Sequence, residues 1–242
     1  MQLLEVIAFT IDSCTIIETC GAARIELCAN PSEGGTTPSY GMIKMAREQV
    51  AIELFPMIRP RGGDFLYNAE EYKIMKQDIL VAKELHCDGV VLGLLQPNGQ
   101  IDVVRTKRLV ELAYPMEVSF HRAFDRVKDP GKALEEVISC GCTRLLTSGL
   151  QTTAWEGKEM LKKLVVQAGH RIIIMPGSGI RADNIEDLAV YCGATEFHTS
   201  ARKMMRSSMK YNPSFPGEEM THTTASADEI SGILNGLKKL EG

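Results

Sequence analysis

A rhythm constrains the fold of this chain more than any single motif: a short apolar run followed by a helical pattern, eight times over in 242 residues. The runs Leu3–Ala8, Arg24–Cys28, Glu53–Ile58, Gly89–Leu92, Glu117–Phe120, Arg144–Thr147, Arg171–Met175 and Thr195–His198 are too short for helices and read as strands. Helical periods fill the gaps. Tyr72, Met75, Ile79, Ala82 and Leu85 form one apolar stripe, Asp12 and Asp102 are placed to cap helix starts, Pro130 opens a helix, and Gly21 and Gly141 close two others. Strand–helix units in this number predict an α/β fold, a single (β/α)8 TIM-type barrel over residues 1–242. A doubly wound open sheet is the alternative. Residues 202–227 carry Ser, Thr, Pro and Met without a period, which predicts a long, mobile, irregular loop before the last helix.

In such barrels a ligand sits at the C-terminal ends of the strands. Polar residues collect there in this chain. Arg24, Glu26 and Cys28 alternate with Ile25 and Leu27; Glu117, Ser119 and His121 with Val118 and Phe120; Glu196, His198 and Ser200 with Thr195 and Phe197. Glu5 stands alone among apolar neighbours. Helices covering the apolar faces would point these polar faces into the barrel, where they must pair or bind something.

Two kinds of site can be built from them. The first is an anion site. Arg59 and Arg61 bracket Pro60 at the end of the third strand, ahead of Gly62, Gly63 and Asp64. Two guanidinium forks suit a carboxylate or phosphate, although Arg61 could simply pair with Asp64 and hold the loop shut. Ser148, Gly177, Gly179 and Ser200 lie on turns whose backbone N–H groups could add donors. The second is a metal site from Cys28, His121 and His198, with Glu5 and Glu26 nearby, a mixture of soft and hard donors. Each histidine could equally be a core residue, oriented by Asp125 or a glutamate. If the mouth is an active site, Glu26 or His121 is placed for acid–base work, Arg59 and Arg61 for the anion, and His198 for orientation.

A net charge of −4 and a pI near 5.8, with no basic run, argue against nucleic-acid partners. No apolar stretch reaches the roughly 18 residues of a membrane span, and the first residues read as a strand rather than a signal peptide. Seven scattered cysteines are not a disulfide framework, which fits reduced thiols in the cytoplasm. The close pair Cys140 and Cys142 has no zinc-site spacing.

The ordered motifs Arg24-Ile25-Glu26-Leu27-Cys28, Glu33-Gly34-Gly35-Thr36-Thr37-Pro38-Ser39, Met57–Phe65, Phe120-His121-Arg122-Ala123-Phe124-Asp125, Leu146-Thr147-Ser148-Gly149 and Glu196-Phe197-His198 resemble the copper homeostasis protein CutC family. The likeness runs from about Leu4 to Arg202. It implies a cytoplasmic barrel, often a homo-oligomer, that serves copper homeostasis and binds Cu(I); it implies no reaction. Cys28 matches a cysteine discussed in the family as a copper ligand. Where some members place a second cysteine this chain has Ile7, and Ser178 replaces a glycine of the family's Pro-Gly-Gly-Gly turn. An enzyme acting on a small anionic or phosphorylated substrate at the same mouth is the alternative, and a scaffold with a vestigial site a third.

Overall fold

A computed structural model describes residues 2–211, 213 and 220–241. Eight short strands alternate with eight helices. The strands are β1 (Leu3–Ala8), β2 (Arg24–Leu27), β3 (Glu53–Pro56), β4 (Gly89–Leu92), β5 (Glu117–Phe120), β6 (Arg144–Thr147), β7 (Ile173–Pro176) and β8 (Glu196–Thr199). They pair in parallel as two four-stranded arcs, β3-β2-β1-β8 and β4-β5-β6-β7. Single parallel bridges, Met57 to Val91 and Gly177 to His198, join the arcs into a closed ring. The predicted (β/α)8 barrel is the observed one.

Around the ring lie α1 (Ile11–Thr19), α2 (Tyr40–Gln49), α3 (Ala69–Glu84), α4 (Val103–Ala113), α5 (Pro130–Ser139), α6 (Lys158–Ala168), α7 (Ile185–Cys192) and α8 (Ala227–Lys238). Their starts are fixed chemically. Asn68 caps α3 in a reciprocal box with Glu71, Asp102 accepts from Arg105 N–H at 3.1 Å, and Asp129 caps α5 just before Pro130. Asp12 does not cap α1: Thr10 does, accepting from Ser13 N–H, and Asp12 lies in the first turn. Ile25, Leu27, Leu54, Val118, Phe120, Leu145 and Phe197 are essentially inaccessible and form the apolar core with the helices.

The other strand face fills the barrel, and its lower layer is ionic. Arg24 pairs with Glu5 at 3.1 Å, Glu53 at 2.9 Å and Glu196 at 2.8 Å. Arg144 pairs with Glu196 at 2.8 Å and with Glu117. Both guanidiniums lie over the Phe55 ring, 5.0 and 5.6 Å from its centre, a favourable cation–π placement. Gly89 must be glycine to leave room for that ring, since a Cβ there would lie 2.4 Å from Phe55. These charges seal the bottom of the barrel and leave its other end for a site.

Residues 202–227 are not an irregular loop throughout. Arg202–Arg206 (β9) and Thr221–Ala225 (β10) pair as an antiparallel hairpin. Its base is tied to α1, with Ala225 N–H donating to Ser13 Oγ at 3.1 Å. Met204 and Met205 are consecutive rather than alternating and the rest of the two strands is mostly polar, so hydrophobic periodicity carries no sign of the hairpin. Between the two strands, residues 212 and 214–219 lie outside the described residues. No helix among the described residues is long and apolar enough to cross a membrane.

Candidate functional site at the barrel mouth

Above the ionic layer the barrel opens into a cavity of about 830 Å³. Glu26, Arg59, His121 and His198 line it low down; the β9–β10 hairpin walls one side through Arg202, Lys203, Met204 and Thr223.

His198 is the centre of the floor. Its Nδ1 lies 2.7 Å from Glu5 Oε1, and its Nε2 lies 3.9 Å from Glu26 Oε2. Glu26 Oε2 also accepts from the Cys28 thiol at 3.7 Å. The strand register produces this: pairing of β1 with β8 sets Glu5 beside His198, and Glu26 follows Arg24 by two residues on the inner face of β2. Glu5, Glu26 and His198 bring ligand atoms within 4.8 Å of one another.

Burial shapes the electrostatics. It pushes Glu26 up to about 7, only partly opposed by the charge of His198 and reinforced by that of Glu5. Burial also acts to raise Glu5, but the hydrogen bond and charge of His198 and the pairing with Arg24 hold it below its ordinary value. For His198, burial favours the neutral ring; the charges of Glu26 and Glu5 and the Glu5 hydrogen bond outweigh it and raise the pKa. Cys28 is driven well above the usual thiol range by burial and then by Glu26.

His121 behaves differently. Burial, and then the charge of Arg59, lower it to about 3. Its Nδ1 accepts from Ala123 N–H at 3.2 Å, so the ring proton sits on Nε2. Asp125 orients neither histidine. It holds the turn after β6, accepting from Thr147 Oγ1 at 2.5 Å and from Ser148 N–H and Oγ, and pairs with Arg122.

The cationic loop after β3 divides into two roles. Arg59 is 5% exposed, lines the cavity, and donates to the Glu33, Gly35 and Gly63 carbonyls, which pins two loops across the mouth. Arg61 lies outside the cavity lining: it pairs with Asp64 at 2.9 Å and Glu71 at 2.5 Å, so its placement in the anion site is corrected to a loop clasp. Ser148 and Gly177 are likewise behind the surface. Ser148 Oγ is occupied by Asp125 and the Gln151 carbonyl, and Gly177 packs against Leu146 and His198. Gly179 and Ser200 do face the cavity. Cys28 lies beneath the floor, with Gly35 folded over it so closely that a Cβ there would stand 2.9 Å from Sγ.

The residues that sequence reasoning missed are cations: Arg122, Arg181, Arg202 and Lys203 all line the mouth. Arg122 follows His121 directly, and Arg202 and Lys203 stand just beyond Ser200. Those adjacencies were the only signal, because exposed arginines are common anywhere on a surface.

A closed parallel barrel with a carboxylate–histidine floor and a cationic rim at its open end places the chain among the (β/α)8 proteins. Comparison with known proteins narrows this. The model of the CutC family matches residues 2–203. A CutC family protein of Chromobacterium violaceum is 47% identical over 98% of this chain and 99% of its own length. The human copper homeostasis protein cutC homolog is 47% identical over 88% of this chain and 78% of its own length. A crystal structure of the putative copper homeostasis protein CutC from Streptococcus agalactiae superimposes with a TM-score of 0.78 at 38% identity, covering 83% of this chain and 99% of that one. The chain belongs to the CutC family. Thiamine phosphate pyrophosphorylase from Pyrococcus furiosus, at 17% identity and a TM-score of 0.62, shares the fold.

Proposed function

We propose that this chain is a cytoplasmic copper homeostasis protein and that the floor of its barrel mouth takes copper as Cu(I). The names of its relatives support the role. The observation that carries the site is that Cys28 Sγ and His198 Nε2 both face the same Glu26 oxygen, at 3.7 and 3.9 Å. A thiolate and an imidazole are donors Cu(I) accepts, and Met57, whose thioether is another soft group, packs with Cys28 and lines the cavity beside His198. Glu5 holds Nδ1 of His198, the arrangement in which a carboxylate orients a metal-binding ring and leaves Nε2 for the ion. His121 fits less well as a ligand, because its Nε2 carries the ring proton while Nδ1 accepts from Ala123.

Anaerobic titration against a Cu(I) chelator tests this. Binding is expected at one ion per chain and about tenfold weaker or more in Cys28→Ala, a loss of at least ~1.4 kcal/mol. Equal stoichiometry and affinity in the variant would overturn the assignment. We also propose that the chain works as a homo-oligomer, since Met204, Met205, Met209 and Tyr211 leave apolar surface on and beside β9. Light scattering in solution should show a mass above 26.7 kDa; a strictly monomeric protein would contradict it.

One observation favours a second reading, an enzyme acting on a small anionic substrate. Glu26, raised to about 7, can exchange a proton near neutrality beside His198, as a general acid–base must.

A further inference from the structure

Three polar side chains lining the cavity are more than nine-tenths buried and each leaves one atom without a hydrogen-bond partner: Glu26 Oε1, His121 Nε2 and Arg59 Nε. Buried polar atoms are normally paired, and all three belong to side chains that line the same cavity, where a bound molecule can supply the partners. Their chemistry is specific. His121 Nε2 and Arg59 Nε carry protons and offer two donors; Glu26 Oε1 offers an acceptor. A hydroxyl-bearing carbon chain satisfies that combination, because each hydroxyl both gives and accepts.

The rim asks for something else. Five cationic side chains line the cavity (Arg59, Arg122, Arg181, Arg202 and Lys203) against the carboxylates of Glu26 and Glu229, a balance that attracts anions. Arg202 and Lys203 have no ion-pair partner among the described residues. The bridge between Gly177 and His198 brings the turn after β7 alongside the turn after β8. Among the described residues the N–H groups of Ser178, Gly179 and Ser200 donate to no protein group. Ser178 and Gly179 both have positive φ, 83° and 71°, and together with Ser200 they line the cavity. Several donors from two turns, with two free cations above them, suit the three terminal oxygens of a phosphate better than the two of a carboxylate.

We propose that the mouth binds a small phosphorylated polyhydroxy compound, its phosphate on the turns after β7 and β8 beneath Arg202 and Lys203, its hydroxyl-bearing end on Glu26, His121 and Arg59. This rests on the enzyme reading of the site and names the substrate class for it. The cavity volume of about 830 Å³ admits such a compound with water to spare.

The test is calorimetric titration and thermal shift of the full chain with ribose 5-phosphate, ribose, inorganic phosphate and gluconate, each repeated on an Arg202→Ala/Lys203→Ala protein. Both positions are exposed, so the variant should fold. Ribose 5-phosphate is expected to raise Tm and to bind at least about tenfold more tightly than ribose or phosphate alone, and to lose about tenfold or more in the double variant. Equal binding by the variant overturns the placement of the phosphate. Binding of gluconate in preference to ribose 5-phosphate overturns the phosphate assignment and leaves the enzyme reading on an anionic substrate standing. No shift with any of the anions overturns both.

Discussion

Arg24→Ala is expected to destabilise the barrel by about 3–5 kcal/mol, a large share of the 5–15 kcal/mol that holds an ordinary domain folded. Arg24 is 1% exposed and, among the described residues, is the only cation paired with Glu5 besides His198. Removing it leaves Glu5 inside the protein with one partner and Glu196 dependent on Arg144 alone. Strong destabilisation follows from the uncompensated charges rather than from the loss of attraction, because a buried ion pair itself adds little net stability. Thermal unfolding should show Tm lowered by roughly 10–15 °C for a chain of this size. Acid should narrow the gap, since protonating the stranded carboxylates removes the unpaired charge. A loss below about 1 kcal/mol would show that the ionic layer does not bear on stability.

The second large effect runs in the opposite direction. Glu26→Gln is expected to stabilise the protein at pH 8. The folded-state value of about 7 lies above the ordinary 4.5, so the carboxyl's contribution is most favourable below about pH 4.5 and is lost as pH rises through 7. Above that the native protein holds a buried carboxylate that glutamine does not have. The gain should approach about 2–3 kcal/mol at pH 8, or about 5–10 °C in Tm, and shrink toward zero near pH 4. The same variant should lose Cu(I) affinity and any proton-transfer activity, the usual opposition between stability and a working site. A Tm difference that stays flat from pH 5 to pH 8 would show that Glu26 titrates normally.

Together these predictions separate two layers of the same interior. Arg24, Glu53, Glu117, Arg144 and Glu196 close the barrel floor by pairing with one another. Glu5 belongs to both layers, touching Arg24 below and His198 above. His198 is therefore anchored through Glu5 to the structural base of the protein, which keeps the ring in one orientation.

The barrel was legible because local patterns determine it. Strand length, the apolar stripe of α3, Pro130 and the glycine stops are all short-range signals, and eight in succession leave few architectures. The inward direction of Glu26, His121 and His198 was legible too, since alternation on a strand fixes the face. The hairpin β9–β10 was not, because its exposed strands carry no apolar alternation. Arg61 and Ser148 were misplaced for another reason: a side chain at a strand end can turn toward the mouth or toward its own loop. Glu71 and Asp125, which decided the matter, lie 10 and 23 residues away in the chain.

The sequence by itself determined the number of strand–helix units, the face each inner residue occupies and the family motifs. Only the tertiary structure decided which of those residues meet. Closing the ring brought Glu5 and His198 together across 193 residues and Arg24 and Glu196 across 172, and no local propensity encodes contacts at such separations. It also decided protonation. A glutamate on a strand has an ordinary carboxyl until burial and its neighbours are known, and at Glu26 it is burial that places the proton within reach of neutral pH.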